Sequence, residues 1–68
     1  MDLTLKKIIT FIEKFRLKAE ISRRIDMNQS QFYKKVRRIE GQRLLDKDVD
    51  AIKLALKDIS EEFIEIIQ

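Results

Sequence analysis

A break in helical period between Leu17 and Arg38 constrains this chain more than any other feature. Apolar residues recur every four positions at Leu17, Ile21 and Ile25, stop at Asp26-Met27-Asn28, and resume at Phe32, Val36 and Ile39. Each half has the spacing of one buried helix face, so the segment predicts two short amphipathic helices meeting at Met27. The second start is chemically marked. Asn28 can accept from backbone N–H groups two and three residues on, and Gln31 can reach back to the Asn28 N–H, as in an N-x-x-Q capping box. Helix, turn and helix therefore succeed one another over about residues 17 to 38.

The remaining sequence offers little but helix around this unit. With no proline, one glycine and no sustained strand alternation, the expected fold is all-α, a compact four- to five-helix bundle forming one domain over residues 1–68. A chain this short buries only about 60% of the surface it exposes when unfolded, so it depends on efficient helix packing or on a partner. The absence of cysteine excludes disulfide staples and thiolate metal sites and suits a cytoplasmic location. Without histidine, zinc and acid–base chemistry lose their commonest side chain. Lys6, Lys7, Glu13 and Lys14 interrupt the N-terminal apolar positions, unlike a secretory signal, and no apolar run approaches the ~20 residues of a membrane span.

Helix 1 is expected from a Thr4 cap to about Phe15, with Leu5, Ile8, Ile12 and Phe15 on one face. Helix 2, about 18 to 25, has no good side-chain cap, and helix 3 runs from about Gln29 to Ile39. Gly41 is placed to end helix 3 in the left-handed conformation. Asp46 is the expected cap of helix 4, whose stripe is Val49, Ile52, Leu56 and Ile59, broadened by Ala51, Leu54 and Ala55. Ser60 can cap a last short helix carrying Phe63, Ile64, Ile66 and Ile67, which either folds back onto helix 1 or supplies a partner surface. Asp46, Asp48 and Asp50 alternate like the start of a calcium loop, but the required glycine and the glutamate twelve positions on are missing.

Charge is polarised along the chain. Residues 1 to 43 hold twelve Lys/Arg against five Asp/Glu, net +7, and residues 44 to 68 hold three against seven, net −4. Between Asn28 and Arg43 only Glu40 balances five cations, repulsion that a polyanion would relieve.

The residues around the break resemble Cro/XRE-type (lambda repressor-like) transcriptional regulators. The likeness rests on Ile21-Ser22 in the first helix, Ile25 closing it, Met27 in the turn, Asn28 as polar cap and Gln29-Ser30 opening the second helix. It continues through RRIEGQRLLDKDVDAIKLAL and spans roughly residues 3 to 59. Asp26 stands where that family usually has glycine, which asks for a left-handed aspartate, and Lys35 stands where it usually has an apolar residue, leaving that packing to Val36 and Ile39.

The resemblance implies that helix 3 reads bases in the major groove of double-stranded DNA while helix 2 crosses the backbone. Gln29 can pair with an adenine edge, Ser30 can donate or accept, and Lys34 can reach a guanine or a phosphate, with Arg37 a turn further on. Tyr33 has three open uses: a thymine methyl, a phosphate, or the edge of the core. Lys18, Arg23, Asn28, Arg38 and Arg43 are the candidate phosphate contacts. The expected function is a sequence-specific transcriptional regulator, a repressor of bacterial or phage type acting as a homodimer, with no cofactor, metal or small-molecule substrate. A protein-interaction module or inhibitor reusing the same fold is the alternative. Catalysis is the weakest reading, since Ser22 has no histidine to activate it and these helices are too short to enclose a pocket.

Overall fold

The computed structural model describes residues 3–68. Among them four helices follow one another, α1 (Leu3–Lys14), α2 (Lys18–Arg24), α3 (Gln29–Arg37) and α4 (Asp46–Ile67), with a 3-10 turn over Ile39–Gly41. Among the described residues there is no strand.

One side chain from each of α1, α2 and α3 meets two from α4. Ile12, Ile21, Phe32, Ile52 and Ala55 are buried together, and Leu17, Ile25, Met27, Val36 and Leu56 pack around them. Burying a large apolar side chain contributes roughly 1.5–3 kcal/mol, so this small cluster fixes the relative placement of all four helices. Ser22 is also buried, and its hydroxyl donates to the carbonyls of Lys18 and Ala19. A small side chain satisfied within its own helix lets α3 pack closely on α2.

Helices α1 and α2 end alike. Arg16 N–H donates to Glu13 C=O and Leu17 N–H to Ile12 C=O, while Asp26 N–H donates to Arg23 C=O and Met27 N–H to Ser22 C=O. These are Schellman closures with Arg16 and Asp26 in the left-handed position, at φ of 55° and 60°. The left-handed Asp26 that the resemblance asked for is therefore present. Each closure turns the next residue, Leu17 or Met27, back toward the core.

Several boundaries differ from those the sequence suggests. Thr4 lies inside α1, and Phe15, expected in the core, is exposed because the helix has already ended at Lys14. Helix α3 stops at Arg37 with Arg38 left-handed, so Ile39 falls outside it and is exposed, and Gly41 closes the following 3-10 turn instead. The Asn28 side chain accepts from Gln31 N–H at 2.7 Å, so the first half of the expected box forms without its reciprocal. Leu45, not Asp46, is the N-cap residue of α4, and its N–H donates to Asp48 Oδ2 at 2.9 Å. Ser60 starts no new helix. Its hydroxyl donates to Lys57 C=O and α4 runs through it for 22 residues.

Candidate nucleic-acid interface

Helix α3 has two unlike sides. Phe32 is buried and Val36 half-buried on one, whereas Ser30, Tyr33, Lys34 and Arg37 fall at i, i+3, i+4 and i+7 and form a single stripe on the other. Ser30, Tyr33 and Arg37 are exposed and Lys34 half-exposed along it. Gln29, in the first turn, is exposed as well. Asn28 holds that turn in place through its bond to Gln31 N–H, so the polar start of α3 is ordered from within.

Tyr33 gathers two of the candidate cations. Lys18 Nζ lies 5.1 Å from its ring centroid and Arg37 Cζ 5.8 Å, both within cation–π range. This brings the start of α2 and the exposed stripe of α3 to one patch. Tyr33 is exposed, so of its three uses open from sequence the geometry removes cover for the core, and its ring additionally carries Lys18 and Arg37.

Two stripe cations have acidic neighbours. Lys34 Nζ is 3.2 Å from Glu40 Oε2, and an Arg37 nitrogen is 3.3 Å from Glu13 Oε1. Both pairs are solvent-exposed, and such pairs contribute about 0–1 kcal/mol, so they orient the cations without locking them away from another anion. Lys35 differs: its ammonium is 3.6 Å from Asp48 Oδ2 and both side chains are largely buried, which ties α3 to the first turn of α4.

The candidate phosphate contacts do not form one cluster. Arg23, Asn28 and Gln29 share a cleft between α2 and the start of α3. Glu20 in that cleft accepts from Arg23, and the same carboxylate accepts from Arg24. These hydrogen bonds, first from Arg24 and then from Arg23, hold Glu20 below the usual carboxylate range. Arg38 and Arg43 line a separate recess beyond the end of α3, and neither forms an ion pair among the described residues.

Sequence reasoning missed the acidic neighbours, since Glu13 lies on another helix and Glu40 in a 3-10 turn, at spacings no helical period reveals. Arg16 is also exposed and unpaired among the described residues, two positions before Lys18. Only its left-handed backbone places it there, and no glycine in the sequence signals that turn.

Compared with protein-family models, with curated proteins and with solved structures, the chain matches none of them. Its functional reading therefore rests on the residues themselves. Among the described residues no helix is long and apolar enough to cross a membrane.

Proposed function

We propose that this chain is a non-catalytic regulator of transcription, a repressor of bacterial or phage type, that binds double-stranded DNA by inserting α3 into the major groove. The observation that carries the reading is the stripe of Ser30, Tyr33, Lys34 and Arg37, with Gln29 at its start, opposite a buried Phe32. A major groove about 12 Å wide accepts one α-helix, and this face offers hydrogen-bonding groups suited to base edges. Gln29, Ser30, Tyr33, Lys34 and Arg37 read bases in this scheme. Lys18, Arg23, Asn28, Arg38 and Arg43 hold phosphates on either side.

Selection of bound duplexes from a random pool tests the proposal. The expected outcome is an enriched sequence, and Gln29→Ala or Lys34→Ala then weakens binding to it by ~1–3 kcal/mol while changing affinity for random duplex less. Equal losses on both kinds of DNA would reduce these residues to phosphate contacts and remove base reading from the proposal. The exposed apolar end of α4 favours a second reading, a protein-interaction module or inhibitor. A chain that shifts no duplex at low salt yet forms a stable complex with another protein would establish that reading in place of the first.

A further inference from the structure

Away from the α3 stripe, α1 and α4 enclose an open groove of about 1090 Å³ with Ile8, Phe11 and Phe15 on one wall and Leu56, Phe63 and Ile64 on the other. Three of the chain's four phenylalanines line it, and Phe11, Phe15 and Phe63 are left 48%, 54% and 60% exposed. The Phe11 and Phe15 rings meet at 4.6 Å between centroids, so this wall is ordered before anything docks on it. An apolar surface this continuous on a small domain marks an interaction site.

The charges lining the groove identify what it takes. Lys7 lies on the α1 side and Lys53 and Lys57 on the α4 side; all three are exposed, and none forms an ion pair among the described residues. Lys14 adds a fourth cation at the edge, its ammonium 5.6 Å from the Phe15 ring centroid. Among the described residues no carboxylate lines the groove. This sorting runs against the local composition, because residues 44 to 68 hold seven Asp/Glu and only three Lys/Arg. Along α4, Lys53, Lys57, Ser60 and Ile64 share the groove face, whereas Asp58, Glu61, Glu62 and Glu65 fall round the helix from it. The groove therefore sets the rarer sign of charge around an apolar floor, and its complement carries apolar residues flanked by carboxylates.

Its size and form select among such occupants. Thr4 to Phe15 and Lys53 to Ile64 each advance about 16 Å at 1.5 Å per residue, room for roughly three turns of a helix laid between them. An open trough with apolar side chains on two walls suits a helix whose anchors recur at i, i+3 or i+4 and i+7. A lipid surface is broad and would meet the rims of such a trough while leaving its walls unfilled.

We infer that the α1/α4 groove is the docking site for an acidic amphipathic helix of a different protein. The apolar stripe of that helix packs on Phe11, Phe15 and Phe63, and its flanking carboxylates meet Lys7, Lys53 and Lys57. The inference gives the protein-interaction reading a site and a partner chemistry. It stands apart from the DNA reading, because the groove lies away from the α3 stripe and its test contains no DNA.

Selection from a displayed pool of randomised helical peptides of about three to four turns, with the full chain as bait, tests it. The enriched peptides should carry apolar residues at i, i+3 or i+4 and i+7 with Asp and Glu beside them, and their binding should weaken as salt is raised. Phe11→Ala with Phe63→Ala should weaken binding of the best peptide about 100-fold. Lys53→Glu with Lys57→Glu should weaken it about tenfold or more, and should bind the same peptide with Lys in place of its Asp and Glu more tightly than the native chain does. Circular dichroism should stay helical in both variants, since the changed side chains are exposed. A pool that enriches nothing, enriched peptides without an acidic bias, or a charge-reversed chain that keeps the native preference would each overturn the inference. So would a chain that excludes peptides because it sediments as a dimer through these residues, or one that floats with phosphatidylglycerol vesicles and enriches no helix. A partner protein that binds both variants at native affinity would also overturn it, while leaving the protein-interaction reading in place.

Discussion

Arg38 stands at φ 57° and ψ 41°, a left-handed conformation that costs an L-residue roughly 1–2 kcal/mol and that glycine adopts freely. Arg38→Gly relieves that cost but raises the entropy of the unfolded chain, so a net gain of about 0.5–1 kcal/mol is expected, or a few degrees in Tm. If the side chain holds a phosphate, the same variant binds all duplexes more weakly and its salt slope falls by ~1. Stability and affinity then move in opposite directions, the pattern expected where strain is kept for function. Unchanged DNA affinity in the stabilised variant would remove Arg38 from the interface. Asp48 makes the opposite case, a residue whose role lies in the fold. Its carboxylate accepts from Leu45 N–H and faces the largely buried ammonium of Lys35. Asp48→Ala should cost about 1–2 kcal/mol in urea unfolding at unchanged m, whereas Asp48→Asn, which retains an acceptor for Leu45, should cost less.

At the scale of the element, Arg24 joins α2 to the far end of α4. Its guanidinium lies 2.7 Å from Glu20 Oε1 and 2.7 Å from Glu62 Oε2, and these bonds hold both carboxyls below their ordinary 4.5. A folded-state value below the unfolded one contributes stability that is complete above the unfolded pKa and is lost as pH falls through the depressed value. The end of α4 should therefore loosen below pH 4.5, with the NMR signals of residues 61 to 67 shifting first, and Arg24→Gln should abolish that step while leaving α1 to α3 in place. A step that persists in Arg24→Gln would show that another contact holds α4. What was legible in the sequence follows the same division between local and distant causes. The bounds of α2 and the start of α3 were readable because Asn28 and the four-residue apolar spacing act within a turn or two. The end of α3 was not, since nothing about Arg38 as a residue type announces a left-handed stop one turn before the only glycine. Ser60 misled because a serine hydroxyl can cap a new helix or, as here, satisfy itself on the preceding turn of an uninterrupted one. The exposed stripe on α3 was legible from its period, but the distances from Lys34 to Glu40 and from Arg37 to Glu13 depend on packing that no period encodes.

Across the whole molecule, residues 1 to 43 carry a net +7 and residues 44 to 68 a net −4, so the two parts of the chain have opposite electrostatic character. The α3 side attracts a polyanion, and the acidic end of α4 would be repelled by one unless cations cover it. Salt dependence measures how many copies bind. Each copy offers four cations among its candidate phosphate contacts, Lys18, Arg23, Arg38 and Arg43. Counterion release then gives a log–log slope of about −4 for one copy and about −7 for two on B-DNA. The native chain should show the steeper slope on its selected duplex. Arg43→Ala should lower the native slope by about 2, one contact from each copy, without changing the oligomeric state. A native slope near −4 would mean that a single copy occupies the selected duplex.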